Sequence, residues 1–257
     1  MSLLGKFHAS LQSDGWMKTI QRSLRHARET ISPGPRDEAQ SPADVFTRIF
    51  QRNEWHNGES VSGHGSSLAY TANLRKELPA LFTKHAIRSV FDAPCGDFNW
   101  MRQVVKEDDI DYRGGDIVRE LVESNTRKYD ARHLAFSIFD ITIDEFPRAD
   151  VWLCRDCLFH LSYSDIYKAL ANFSRSQIPF LLTTTHLNPD RVPNRDIRSG
   201  GYRTLDLFSP PFSLPTDVAH RIADWIEPFP PREVCLWTRA QVAGQISALR
   251  DRLGVKP

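Results

Sequence analysis

Cysteine is scarce, with four residues in a chain of 257, and the disulfide framework of a small secreted domain is therefore excluded. No apolar run approaches the roughly 20 residues that span a bilayer, and the opening Met1-Ser-Leu-Leu-Gly-Lys6 lacks the core of a secretory signal. Charge of one sign is not in excess. The 33 Lys and Arg against 32 Asp and Glu leave a formal +1, so no global field draws the chain to nucleic acid or an acidic polymer. A basic patch interleaved with aromatics is missing as well, which speaks against a nucleic-acid partner. Cys154-Arg-Asp-Cys157 has no second pair of ligands at a suitable spacing, so no metal site is expected. These absences describe a cytoplasmic globular protein, and its length allows one substantial core.

Residues 1–32 carry apolar stripes at Leu4, Phe7 and Leu11 and at Met17, Ile20 and Leu24, among five basic and two acidic side chains. They read as a basic amphipathic helix. Such helices mostly cover cores, so packing on the chain itself or on a second copy in a homodimer comes before contact with a membrane surface. The run Ile31 to Pro42, rich in proline and without periodic apolar residues, is a linker. The expected organisation is thus an extension and linker over 1–42 and one domain over 43–257.

Within that domain, Ser89-Val-Phe-Asp92 is a β-prone run closing on an acid, Pro94-Cys-Gly96 turns the chain, and Met101 to Val105 is compatible with a helix. Further strands are read at 111–117, 133–139, 150–154, 178–184, 220–226 and 233–238. A short helix is read over 43–51, one over 68–85 restarted at Pro79, another over 163–176, and a last one from Arg239. Four of the strands end beside polar residues, at Asp92, Asp116, Asp140 and Arg155-Asp156, which gathers polar groups along one edge of a parallel sheet. Asp116 falls 20 residues after Gly96, a distance suited to an acid that accepts hydrogen bonds from ribose hydroxyls; a helix N-cap before Val118 would account for it as well. Between the helices read over 43–51 and 68–85, Asn53 to Ser67 combines Trp55 and two histidines with glycine and serine, a composition for a loop folded over a ligand or for a surface connection.

Asp92-Ala-Pro-Cys-Gly96, Asp116, Asp140-Ile141 and the block from Ala149 to Leu161 resemble the successive motifs of class I S-adenosylmethionine-dependent methyltransferases, over roughly residues 67–240. The strings at 55–63 and 92–100 are similar to a group of bacterial members. The resemblance implies an α/β, Rossmann-like, doubly wound sheet of seven strands, mostly parallel with an antiparallel C-terminal strand, and S-adenosylmethionine as cofactor. It implies Asp92, Ala93, Gly96 and Asp97 at the methionine end, Asp116 and Ile117 at the ribose and adenine, and Asp140 and Ile141 at the adenine edge. Trp55 and Arg155 join the cofactor set, with an internal ion pair to Asp156 as the other account of Arg155. One departure stands out: the family pattern has glycine at three alternating positions of the first turn, and here Pro94, Gly96 and Phe98 occupy them. Phe98 is expected to wall the methionine end.

Asp156, His160 and His186 lie at or just beyond strand ends and are the candidates for a base or for positioning an acceptor. A hydrogen-bonded core histidine is the competing account of each histidine. The irregular segment 186–216 holds five prolines together with Arg191, Arg195 and Arg198, and would shape an acceptor pocket for an anionic ligand. The function expected is methyl transfer to a small molecule or glycan, at oxygen. A non-catalytic subunit that keeps the fold is the alternative; a dinucleotide oxidoreductase would want a fuller glycine-rich turn.

Overall fold

The computed structural model describes residues 41–106, 109–129 and 131–255; the amphipathic helix and most of the linker expected over 1–42 lie outside them. Seven strands form one sheet: β1 Ser89–Asp92, β2 Asp111–Asp116, β3 Leu134–Ile138, β4 Val151–Cys154, β5 Phe180–His186, β6 His220–Ala223 and β7 Arg232–Thr238. Their order across the sheet is β3-β2-β1-β4-β5-β7-β6, and only β7 runs against the rest. Among the described residues five α-helices accompany them: α1 Pro42–Gln51, α2 Ala72–Lys84, α3 Arg119–Lys128, α4 Tyr163–Arg175 and α5 Arg239–Leu253. None of the described helices is long and apolar enough to cross a membrane.

The central strands are apolar at successive positions because both sheet faces are covered. Val90, Val151, Leu153, Leu182, Val234 and Leu236 pack with Leu74, Leu78 and Leu81 of α2 on one face. Their neighbours Phe91, Trp152, Cys154, Leu181, Cys235 and Trp237 pack with Ile166 and Leu170 of α4 and Val242 and Leu249 of α5 on the other. The period-2 alternation of a strand thus distributes one continuous apolar run between two cores.

Capping sets the helix starts. Ser41 and Asp44 form a reciprocal capping box for α1, Thr238 and Gln241 do the same for α5, and the Ser162 hydroxyl accepts from the Asp165 N–H at α4. Two local expectations fail. Pro79 does not restart a helix but lies inside α2, with its ring exposed and buried side chains on either side of it. Burial of that face offsets the lost hydrogen bond, a cost of about 3 kcal/mol for an interior proline. The helix over Met101–Val105 shrinks to one 3₁₀ turn, Met101–Gln103. Phe98, Trp100, Met101 and Val105 all turn inward, and α-helical periodicity would point Trp100 away from Phe98.

Trp152 fixes the middle of the sheet: fully buried on β4, it packs against Phe146 and Phe173 and donates Nε1–H to the Ala93 carbonyl at 2.8 Å. Trp152→Ala removes that payload and leaves the carbonyl unpaired, so urea denaturation should show a loss of about 3–5 kcal/mol; a loss below about 1 kcal/mol would contradict this packing.

Candidate functional site

The carboxyl ends of β1, β2, β4 and β5 meet the first turn, the loop 53–67, the turn after β4 and the start of β7. Asp92 closes β1 and accepts the Tyr112 hydroxyl at 2.7 Å from the neighbouring strand. Burial, with Asp116 nearby, raises its carboxyl from an ordinary 3.8 to about 7 against the Tyr112 bond. Asp116 closes β2 and accepts the N–H of Gly96 at 3.0 Å and of Val118 at 2.9 Å. Asp116 thereby fastens the first turn and the stretch after β2, while the N-cap of α3 is Val118, which takes no side-chain cap. Burial raises it to about 6 in spite of those bonds, with the Asp97 charge adding to the effect. Asp92 and Asp116 form a desolvated, mutually repelling pair, with the Asp97 charge beside Asp116, that a cation would relieve.

Gly96 takes the left-handed conformation, φ 55°. A Cβ there would meet the Ser62 Oγ, so glycine is required by the backbone and by the loop lying on it. Phe98 is left-handed as well, φ 57°, at a position where the family pattern has glycine. It does not wall the cleft: its ring is buried with Tyr112, Tyr129 and Phe136, which holds an otherwise disfavoured backbone.

Asp97 anchors the loop. Its carboxylate accepts from the Ser60 hydroxyl at 3.0 Å and from the Val61 N–H at 3.0 Å, while its N–H donates to the Ser62 Oγ at 3.1 Å. Glu59 adds bonds from the Leu68 N–H at 2.7 Å and from the Asn99 side chain at 2.8 Å. The loop thus lies across the first turn, and Trp55 packs on Gly63 with its ring 5.6 Å from that of His160.

Beyond β4, Arg155 makes a two-pronged ion pair with Asp224 at 2.8 and 2.9 Å and stacks on Trp100 and Tyr70. Arg232 donates to Asp156 at 2.8 Å and to the Asp224 carbonyl at 2.9 Å. Burial opposes ionisation of Asp156, yet the two arginines hold it below the usual carboxylate range. Asp156 is left-handed, φ 53°, and Gly65 of the loop abuts it: a Cβ on Gly65 would clash with the Asp156 Oδ2.

The two histidines differ. His160 Nδ1 is 2.7 Å from the Gly201 carbonyl, which places the proton on Nδ1 and the lone pair on Nε2. His186 Nδ1 instead accepts the Leu205 N–H at 3.2 Å, so its Nε2 is a donor, buried and without a partner. Burial lowers both to about 4, so both are neutral at pH 7. Each lies near enough to Asp156 to affect its charge.

Of the residues singled out from the sequence, Trp55, Asp92, Gly96, Asp97, Asp116 and the Asp156, His160, His186 group share this edge. Ala93 and Ile141 belong to the core, and Ile117 follows β2 half-buried. Asp140 accepts from the N–H and the hydroxyl of Thr142 within its own turn. Arg155 is in the ion pairs. Tyr70, Tyr112, Asp224 and Arg232 were not singled out; they lie far along the chain from their partners, and no spacing rule connects them.

No protein-family model and no curated protein matches the chain. Solved structures do. Human N-acetylserotonin methyltransferase, in complex with S-adenosylmethionine, superposes at TM-score 0.56 and 13% identity over 84% of this chain and 66% of that one. A Leishmania major S-adenosylmethionine-dependent methyltransferase gives 0.56 and 12%, over 78% and 87%. Magnesium protoporphyrin IX methyltransferase from Synechocystis, with the same molecule bound, gives 0.52 and 10%, over 79% and 99%. The chain has the Rossmann-like fold of class I methyltransferases.

Asp92 yields a test of the acidic cleft. Its folded pKa of about 7 lies above the ordinary 3.8, so ionisation destabilises the native state. That cost is full above pH 7, shrinks as pH falls, and is gone below the unfolded value. Relative to Asp92→Asn, the native chain should gain about 1.4 kcal/mol per unit as pH drops from about 7 to about 5; parallel urea-denaturation profiles would remove the shift.

Proposed function

We propose, on the premise of this fold, that the chain is an S-adenosylmethionine-dependent methyltransferase acting at oxygen on a small molecule or glycan. The observation that carries the reading is the acidic group Asp92, Asp97 and Asp116 at the ends of β1 and β2, where burial and mutual repulsion have raised two carboxyls. A ligand with positive charge and hydroxyls fits such a cleft, and S-adenosylmethionine has a sulfonium, an ammonium and a ribose. When bound it supplies an already activated methyl group. Asp116 keeps acceptor capacity for a ribose hydroxyl beyond its two amide bonds, and the Gly96 turn allows close approach of backbone.

This chain's own work is to exclude water, orient the acceptor and take its proton. The loop 53–67 covers the first turn through Asp97 and brings Trp55 beside His160. His160 presents a neutral Nε2 lone pair, with its tautomer set by Gly201, and is the base or acceptor-positioning group. His186 offers an Nε2–H and is suited to hold the acceptor rather than deprotonate it. Asp156, pinned by Arg232, shapes the field around both.

Calorimetric titration with S-adenosylmethionine, S-adenosylhomocysteine and NAD tests the binding. Binding of the first two and neglect of NAD is expected; preference for NAD, or no binding, overturns the reading. Asp116→Asn should weaken S-adenosylhomocysteine binding about tenfold or more, the loss of a charged hydrogen-bond acceptor; an unchanged affinity removes Asp116 from the ribose. With labelled methyl donor and a fractionated lysate as acceptor source, His160→Gln should bind donor normally and lose turnover by about 10²–10⁴. A fully active His160→Gln discards the base, and donor binding by the native chain without transfer to any fraction favours a non-catalytic subunit.

A further inference from the structure

Three arginines are buried among the described residues. Arg155 and Arg232 sit in ion pairs; Arg203, only 2% exposed, has none. Its Nη1 donates to the carbonyls of Leu161 at 2.8 Å and Phe159 at 3.3 Å. Its Nε and Nη2, the edge of a guanidinium that meets two oxygens side-on, are buried and without a partner. The ring of Tyr163 lies 5.3 Å from the guanidinium carbon, and its hydroxyl is likewise buried and unpartnered. Asp196 is the nearby acid, but its carboxylate accepts the N–H groups of Tyr163 and Ile197 and makes no ion pair with Arg203.

A guanidinium taken out of water without a counterion costs several kcal/mol, and native structures seldom leave such a group uncompensated. Burial lowers Arg203 to about 10, which still leaves it charged at neutral pH. The surrounding backbone fixes its place relative to the site. Gly200 N–H donates to the His160 carbonyl at 2.8 Å, Gly201 accepts from the His160 ring, and Arg203 N–H donates to the Phe159 carbonyl at 3.3 Å. Arg203 and His160 therefore stand on two laced stretches, close enough for the Arg203 charge to act on the imidazole.

We propose that the side-on fork of Arg203, with the Tyr163 hydroxyl, is an oxyanion subsite that binds a carboxylate or phosphate group carried by the methyl acceptor and sets its hydroxyl against His160. The assignment rests on the methyl-transfer reading for the word acceptor. The subsite itself stands on the unpartnered donors.

The experiment follows thermal unfolding of the full chain with inorganic phosphate or sodium acetate, against sodium chloride at equal ionic strength, with and without S-adenosylhomocysteine. Phosphate or acetate should stabilise the native chain where chloride does not. Arg203→Lys keeps a charge for the two carbonyls and loses the fork; it should weaken the apparent anion affinity about tenfold or more. Tyr163→Phe removes only a hydroxyl and should weaken it in the same direction, so the test survives if a variant at 203 fails to fold. A native chain that answers phosphate and acetate no more than chloride, or variants that answer like the native chain, overturns the subsite and leaves water as the partner of these donors. S-adenosylhomocysteine binding measured in the same samples separates the two ideas. Binding without an anion response discards the subsite alone, and an Arg203-dependent anion response without such binding discards methyl transfer alone.

Discussion

Two arginines and two aspartates, shut away from water, join the parts of the chain that the sheet does not join. Arg155 and Asp156 come from the end of β4, Asp224 from the end of β6 and Arg232 from the start of β7. All four are buried or nearly so, and their formal charges cancel. Removing one partner of such a group leaves a charge in a medium that cannot solvate it, at a cost of about 3–5 kcal/mol. The cluster thereby sets where β7 begins, where Asp156 points and how close Gly65 can come. Because β7 runs against β5, the same pairing lays Arg232 opposite His186. The candidate catalytic side and the electrostatic clamp are consequently one piece of sheet.

The first turn solves a different problem. With one glycine where the family pattern has three, the backbone still follows a left-handed path at Gly96 and at Phe98. The second of these is held by aromatic packing: Phe98 is locked among Tyr112, Tyr129 and Phe136. Tyr112 then reaches from that aromatic group to Asp92. Core packing on one face of the sheet is in this way coupled to the protonation of a carboxyl at its edge.

How much of this was legible depends on the range of each interaction. The strands were readable as short apolar runs closing on polar residues, and α1, α4 and α5 as helical stretches whose starts the structure shows to be set by caps within four residues. Asp116 was readable by its distance from Gly96. The helix expected after the first turn shortened to one 3₁₀ turn, at which Trp100 and Met101 are both buried. Asp97 was read as a ligand for the donor, and only the fold brings Ser60 and Val61 to it. Arg203 was hidden for the same reason: nothing near it in sequence signals that it is buried, or that its carbonyl partners come from residues 159 and 161. Local rules find elements and caps, while charges that meet across 40 or more residues become visible only once the chain has closed.

The seating of Ser62 on Gly96 has a kinetic corollary. For residues 53–67 to lift from the first turn, a handful of polar bonds centred on Asp97 must let go together. Opening of that loop is therefore a cooperative local event, in which the whole stretch is released together.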